Sequence, residues 1–365
     1  MNRNNIVVMV DRAVQGMHWF SANVRARSPL RLGLGGGGTD LAIYSDVHGG
    51  VVLNATIDRY AYAHLTKNRR GDIHFKADDL AAQESLPCSL DFDIREGLCL
   101  HRAVYRHMML EYNGGRAEPV TITTTIDVPA GSGLGASSAL TVALIEAFRH
   151  AMQLPLGPYD VASLAYDIER RQLGLMGGKQ DQYAAAFGGF NFIEFLKDGA
   201  GVIVNPLRLR SDYLNEFESS LVICFSGQSR ESADIIRQQV GGLQELNDAT
   251  VAAMHEIKDH AHRMKVDLLA GDIRKTAEVL RNSWLSKKRT ASSVSNSTVE
   301  RLLDVAMESG AWAGKVSGAG GGGFIMLLVD PERRYGLIRN LNEHGGQASS
   351  VKLTFDGAEA WSVRA

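Results

Sequence analysis

Apolar and polar positions along the chain change rhythm several times, and each change marks an element. "PVTITTTIDVP" is rich in β-branched residues and predicts a strand, while "GGVVLNATI" and "RYAYAHLTK" predict two paired strands. Residues 96–112 carry Leu98, Val104, Met108 and Met109 and predict a helix. "GSGLGASSALTVALIEAFRHAM" passes abruptly from glycines into a long apolar helix. "YDVASLAYDIERRQLG" predicts a second helix closed by Gly174, and "DQYAAAFGGFNFIEF" reads as helix, double-glycine break and strand. The second half opens on the strand "SSLVICFSG" and is helix-rich to about Gly310. It continues with "AGKVSGAGGGGFIMLLV", a helix in "ERRYGLIRNLNEHG" and a final strand in "ASSVKLTF". Separate runs of helices and strands, rather than strict alternation, predict an α+β fold in two domains. Their expected spans are 23–210 and 211–365, with the boundary near 206–218 and residues 1–22 as an N-terminal extension outside the fold.

Composition narrows the class. A chain of 365 residues with 45% hydrophobic content can bury two cores. Thirty-nine Lys and Arg against 41 Asp and Glu leave a formal net charge of -2, which gives no bulk attraction to nucleic acid or to an anionic membrane. No apolar run reaches the ~20 residues of a membrane span. The N-terminal "IVVMV" is cut short by Asp11 and Arg12, unlike a secretory segment. Cys88, Cys99 and Cys224 are scattered without a C-x-x-C pair, so they indicate neither a disulfide framework nor a zinc site. The expectation is a cytoplasmic globular protein whose partners are small molecules, with oligomeric state, a homodimer included, left open.

Glycine is the chemistry-bearing feature. In "SPLRLGLGGGGTD" the spacing of Gly33, Gly35 and Gly38 fits G-x-G-x-x-G, with Asp58 where a dinucleotide-binding fold places its ribose acid. That reading needs a buried strand before it and a helix after it. "NVRARSP" is too polar and proline-broken for such a strand, and "TDLAIYSDVHGG" reaches Gly-Gly before a full helix can form. The second stretch, "GSGLGASS", is a better anion cradle, because glycines before a helix let successive N–H groups converge where the helix dipole is positive. It lacks the Lys-Ser/Thr ending of a Walker loop, and Ser137 or Ser138 can equally serve as an N-cap. A third stretch, "KVSGAGGGGF", lies in the other half and suggests a ligand in the cleft between the halves.

These three stretches, in this order, resemble the signature motifs of the GHMP kinases, a family that includes galactokinase and mevalonate kinase; the likeness runs from about Val24 to the end. It implies a first domain like the second domain of ribosomal protein S5, a ferredoxin-like second domain, an active site between them, and ATP with Mg2+ as cofactors. The triphosphate role falls on Gly131, Ser132, Gly133, Leu134, Gly135, Ala136, Ser137 and Ser138. Ser138 resembles the magnesium-ligating serine. Glu169 in "DIERRQLGLMGGKQDQ" resembles its carboxylate partner, although the gap to the catalytic aspartate is one residue longer than in mevalonate kinase. Read alone, Glu169 is equally an exposed helix-end acid beside Arg170 and Arg171. Asp181 resembles the aspartate that faces the acceptor hydroxyl and receives its proton late. Arg31 takes the place of a galactokinase arginine, able to pair with Asp181 and to neutralise charge near the transferred group.

On the acceptor side the resemblance implicates Gly36, Gly37, Gly38, Thr39 and Asp40 of the first loop and Gly320 and Gly321 of the third. Galactokinase has Glu-His where Gly37 and Gly38 stand, so a larger or anionic acceptor is expected. The pattern looks most like the subgroup acting on D-glycero-D-manno-heptose 7-phosphate, which implies phosphorylation of the anomeric oxygen for nucleotide-activated heptose and surface polysaccharide. Another hexose or fucose-like acceptor, or an idle sugar and nucleotide sensor on the same scaffold, are the alternatives. A phosphorylated acceptor needs cations, and Lys179 and Arg230 are the candidates, with Lys287 and Lys288 of "SKKRT" in reserve; each is also readable as a solvated surface charge.

Overall fold

The structure, a computed structural model, describes residues 23–228, 232–245 and 247–363. The expected N-terminal extension and Arg230 lie outside the described residues. β1 (Asn23–Gly35) and β2 (Gly50–Lys67) form a long antiparallel pair. β1 is therefore a strand in spite of its charges and its proline. The alternation Val24, Ala26, Ser28 turns one side of its first half inward, and the register shift falls between Pro29 and Leu30, where a missing N–H costs no regular ladder bond. Opposite that shift, Pro29 pairs with Tyr60 and Leu30 with Ile57, so Asp58 and Arg59 bulge out of a continuous β2. The two strands expected in this region are one. Asp58 accepts from Arg59 Nη1 at 3.0 Å and from Lys352 N–H at 3.1 Å on that bulge, so it serves the chain crossing and not a ribose.

α1 (Ala42–His48) follows the first glycine loop. β3 (Ile73–Ala77), β4 (Ala82–Leu86) and β5 (Val120–Ile126) extend the sheet, with α2 (Cys99–Tyr112) on its face. α3 (Ala136–Ala151) is buried at every position from Ser138 to Phe148, which explains its apolar run without a polar stripe. α4 (Pro158–Tyr166) continues into a π-helical turn, Asp167–Gln172, and α5 (Gln180–Phe187) leads through Gly188 and Gly189 to β6 (Phe190–Phe195) and β7 (Val202–Pro206). β6 pairs with β2 and β7.

The second half contributes α6 (Ser211–Ser220), β8 (Leu221–Phe225), α7 (Ser232–Gln244), α8 (Asp248–Ala270), α9 (Ile273–Lys288) and α10 (Ser297–Glu308). Then come β9 (Ala311–Val316), β10 (Phe324–Val329), α11 (Arg334–Glu343) and β11 (Gln347–Ser350). These strands make a four-stranded antiparallel sheet in the order β11-β8-β10-β9. Val222, Cys224, Ile325, Leu327 and Val329 pack with α10 and α11. Leu221, Ile223, Phe225, Met326 and Leu328 join, through Ala261, Met264, Leu268 and Leu280 of α8 and α9, the same apolar core that fills the first sheet.

The expected last strand, "ASSVKLTF", is only in part a strand. After β11 the chain crosses back, with Leu353 bridging Ile57 and Thr354 N–H donating to Thr56 O. β12 (Glu359–Val363) then pairs with β1 and completes the eight-stranded first sheet. Residues 211–363 thus contribute strands to both sheets. Five residues, "EAWSV", carry too little pattern to announce a strand.

Candidate active site

One cleft is lined by the first glycine loop, the second glycine loop, the segment before α5, the start of α7 and the end of α9. Its floor is an interlock of backbones. Gly133 has φ +78°, and a Cβ there would stand 2.6 Å from Ser317 O in the third loop. Gly135, also at positive φ, is the N-cap of α3, and a Cβ on it would press to 3.2 Å from Asp181 Cγ. Neither Ser137 nor Ser138 caps the helix, contrary to the capping alternative. The residues of this loop that face the cleft are Gly131, Ser132, Gly133, Gly135, Ala136, Ser137 and Ser138, whereas Leu134 is fully buried beneath it.

Ser138 lies in the first turn of α3 and donates from Oγ to Glu169 Oε2 at 2.8 Å. Glu169 has no exposed surface; Thr141 Oγ1 donates to it at 3.0 Å, Ser137 Oγ at 3.4 Å and Gln182 Nε2 also donates, with Arg170 Nη2 at 3.4 Å. The surface helix-end reading of Glu169 is overturned by this burial. The π turn that carries it takes up one residue more than an α turn, in keeping with the longer gap to Asp181. Two hard oxygen donors, a hydroxyl and a carboxylate, thus sit together beside the second glycine loop, and oxygen donors of this kind fit a magnesium ion. Among the described residues no group of three or more His, Cys, Asp or Glu side chains gathers as a metal site.

Asp181, in the first turn of α5, receives Arg31 Nε at 2.7 Å and Nη2 at 2.6 Å on the same oxygen, Oδ1. Oδ2 accepts no hydrogen bond from the described residues. Arg31 is 3% exposed and is held from behind, its Nη1 donating to Gly133 O at 2.7 Å and to Ser317 Oγ at 3.3 Å. All three glycine stretches therefore meet at this arginine. Asp40, 1% exposed, accepts from Gly38 N–H at 3.0 Å, Gln180 N–H at 3.0 Å and Gln180 Nε2 at 3.1 Å. A side chain at Gly178 would overlap its carboxylate.

The remaining acceptor candidates divide. Gly37, Gly38 and Asp40 line the cleft. Gly36 and Thr39 face the other way: Thr39 Oγ1 lies 2.8 Å from both Gly36 O and Val51 O, either of which can take its one proton, and accepts from Val51 N–H at 3.0 Å, and so fastens the loop to β2. Lys179 turns aside, with Nζ 3.8 Å from Asp46 Oδ1 and 5.8 Å from the Tyr166 ring centroid. Gly320 and Gly321 pack against Val294, Gly321 N–H donating to its carbonyl at 2.7 Å; the cleft is lined instead by Gly318 and Ala319. What the sequence did not announce are Gln180, Gln182, Arg170 and Lys315, while Lys287 was named there only as a reserve candidate; both lysines are buried. Lys287, at the end of α9, donates to Gly37 O at 2.8 Å, and Lys315, on β9, donates to Gly33 O at 2.8 Å and Leu34 O at 3.3 Å. Burial pushes Lys287 down to about 8, against the pull of Asp40, and Lys315 down to about 7, with Lys287 and Arg31 adding to the effect. The glutamines flank Asp181 in "GGKQDQ", and the lysines lie within quoted motifs, yet nothing in a sequence distinguishes a buried lysine from a solvated one.

Comparison with known proteins agrees with this geometry. Residues 100–189 match the family described as GHMP kinases N terminal domain, and residues 264–347 that described as GHMP kinases C terminal. A Campylobacter jejuni protein named D-glycero-alpha-D-manno-heptose 7-phosphate kinase is 41% identical over 343 residues, 93% of this chain and 99% of its own. The crystal structure of a D-glycero-D-manno-heptose 1-phosphate kinase from Bacteroides thetaiotaomicron superposes with a TM-score of 0.80 at 40% identity, over 94% of this chain and all of the other. Lactococcus lactis galactokinase, at 16% identity and a TM-score of 0.70 over 98% of this chain and all of its own, shares the fold.

Proposed function

The chain belongs to the GHMP kinase family, and on that premise we propose that it transfers the γ-phosphoryl group of ATP to the anomeric hydroxyl of D-glycero-D-manno-heptose 7-phosphate. The product is heptose 1,7-bisphosphate, a precursor of nucleotide-activated heptose and surface polysaccharide. The heptose-phosphate kinase relatives near 40% identity support the acceptor class. The observation that carries the chemistry is the Arg31–Asp181 pair, in which Asp181 Oδ1 is committed to the guanidinium while Oδ2 has no partner among the described residues. Oδ2 is the atom that accepts the anomeric proton.

The N–H groups of the second loop and the head of α3 hold the triphosphate. Ser138 and Glu169 would hold magnesium, whose chemistry there would be to neutralise charge on the phosphate oxygens. Arg31 keeps the aspartate in place and lends positive charge beside the transferred group, and Asp40 with Gln180 orients the sugar hydroxyls. Phosphoryl transfer through a loose transition state asks chiefly for such positioning.

For Asp181→Asn the expected outcome is a folded protein that binds ATP with little change but whose kcat falls by roughly 10²–10⁴-fold, the span of general acid–base contributions. Turnover is read as ADP release across a panel of heptose 7-phosphate, heptose, mannose, galactose and fucose, with phosphorus NMR locating the new phosphate. Near-normal kcat in the variant, or a product phosphorylated away from the anomeric carbon, would remove this assignment.

A further inference from the structure

Among the described residues four cations besides Lys287 lie at or under the cleft, and each is already engaged. Arg31 spends its three nitrogens on Asp181, Gly133 O and Ser317 Oγ. Arg170 lies against Gly177, where a Cβ would stand 2.6 Å from its guanidinium, and faces Glu169 at 3.4 Å and Gly178 O at 3.5 Å. Lys179 is turned to Asp46, and Lys315 donates to two carbonyls beneath the first loop without lining the cleft. Lys287 differs. It lines the cleft, is 6% exposed, and among the described residues has one hydrogen-bond partner, Gly37 O. An ammonium has three N–H donors, so two remain.

A buried cation with unused donors is costly unless an anion meets it. Asp40 is near enough to act on Lys287 through its charge, but no ion pair within 4.0 Å joins them among the described residues, and the Asp40 oxygens are taken up by Gly38 and Gln180. The bare backbone above the ammonium has a function here. A Cβ on Gly38 would lie 3.2 Å from Lys287 Nζ, so any side chain at that position would cover it. Glycine at 37 and 38, together with the lysine from α9, leaves a positively charged floor open to the ligand.

We infer that Lys287 reads the acceptor's own phosphate: the two free N–H groups of its ammonium bind a phosphate monoester carried by the sugar, so that this side chain from the second half sets the preference for a phosphorylated over a neutral acceptor. The inference rests on the reading of the cleft as a sugar kinase site and adds the residue that chooses the substrate class. A phosphate remote from the reacting oxygen is held about equally in ground and transition states, so the interaction acts on KM more than on kcat.

The test uses two variants of the whole chain, Lys287→Met and Lys287→Gln, the second retaining a donor for Gly37 O while removing the charge. Binding of heptose 7-phosphate and of heptose lacking the phosphate is measured calorimetrically for each variant and for the wild type, alongside turnover and melting curves. The wild type is expected to prefer the phosphorylated sugar, and both variants to lose about 10- to 150-fold of affinity for it with little change for the neutral sugar. Equal losses on both sugars would mean that Lys287 only pins the first loop, and an undiminished preference in either folded variant would place the phosphate elsewhere; both overturn the inference, as does a wild type without preference. A preference that depends on Lys287 in a protein that does not phosphorylate the anomeric oxygen would overturn the proposed reaction and leave this inference standing.

Discussion

Glu169 is the residue whose environment says most about its task. A carboxylate with no exposed surface, ringed by Ser138, Thr141, Ser137 and Gln182, is held in one orientation beside the second glycine loop. Because Gly135 and not Ser138 caps α3, removing the Ser138 hydroxyl takes nothing from the cap. Ser138→Ala is therefore expected to raise the Mg2+ concentration for half-maximal rate by roughly tenfold or more and to lower kcat, since even partners one bond further from a metal are worth 10- to 100-fold in its affinity. Titrating Mg2+ against rate, with melting curves in parallel, checks this; a lower melting temperature with an unchanged Mg2+ dependence would make Ser138 a purely structural donor to Glu169. Arg31, Ser138, Glu169 and Asp181 were legible in the sequence because they sit at fixed places in ordered motifs. Lys315 was not, and Lys287 was only a reserve candidate, because a lysine is almost never buried unless it is paired, and the carbonyls that receive these two lie 250 residues away in the first loop for Lys287 and 282 away at the end of β1 for Lys315.

At the scale of elements, the second and third glycine stretches are halves of one joint. Gly133 and Gly318 face each other so closely that a Cβ on either would meet the other loop's backbone at 2.6 Å, from Ser317 O and Gly133 O respectively. Gly133→Ala therefore adds a clash to the ~1–2 kcal/mol that an alanine loses in the left-handed region. Gly115, with φ +71° and nothing within 4 Å, is the control that carries only the backbone part. Gly133→Ala is expected to lower the melting temperature more than Gly115→Ala does and to depress turnover as well, because Arg31 hangs from the Gly133 carbonyl. Equal melting temperatures for the two variants would show that the loops are not in contact in solution. Helices α2 to α5 and α11 and the glycine turns were readable from composition and spacing, whereas the seven-residue α1 was not, because Gly49 and Gly50 follow it too soon. The first strand was not, since its charges sit on a half-exposed stretch and its proline falls where the register shifts, and a bulge cannot be seen in the sequence of one strand alone.

At the scale of the whole molecule, the two sheets share one apolar core rather than meeting across a polar seam. Halves joined in this way hold the cleft in a preformed shape, with large relative movement disfavoured. The shared interior also contains the lysine that most strongly links stability to pH. Lys315 ordinarily holds its proton to about pH 10.5, but burial beside Lys287 and Arg31 brings it to about 7 in the folded state. Between those values the unfolded chain binds more protons than the folded one, so stability rises with pH through that window, and below about 7 the full penalty of burying the charge is present. In Lys315→Met this contribution, at most about 1.4 kcal/mol per pH unit, disappears, and the curve of unfolding free energy against pH flattens between about 7 and 10.5. Lys287 titrates in the upper part of the same window and leaves a residual slope. Superimposable curves for the variant and the wild type would show that Lys315 does not titrate as its surroundings dictate.

The pairing of β12 with β1 has a consequence for how the protein is made. Arg27 and its partner Glu359 are separated by 332 positions, so when β1 leaves the ribosome its outer edge has no partner, and at ~5–20 residues per second it waits roughly 20–70 s for one. For that time a row of backbone N–H and C=O groups is open to any other extended chain. Arg25 and Arg27, the charged residues in the segment that β12 will cover, are what the nascent strand presents there against mispairing.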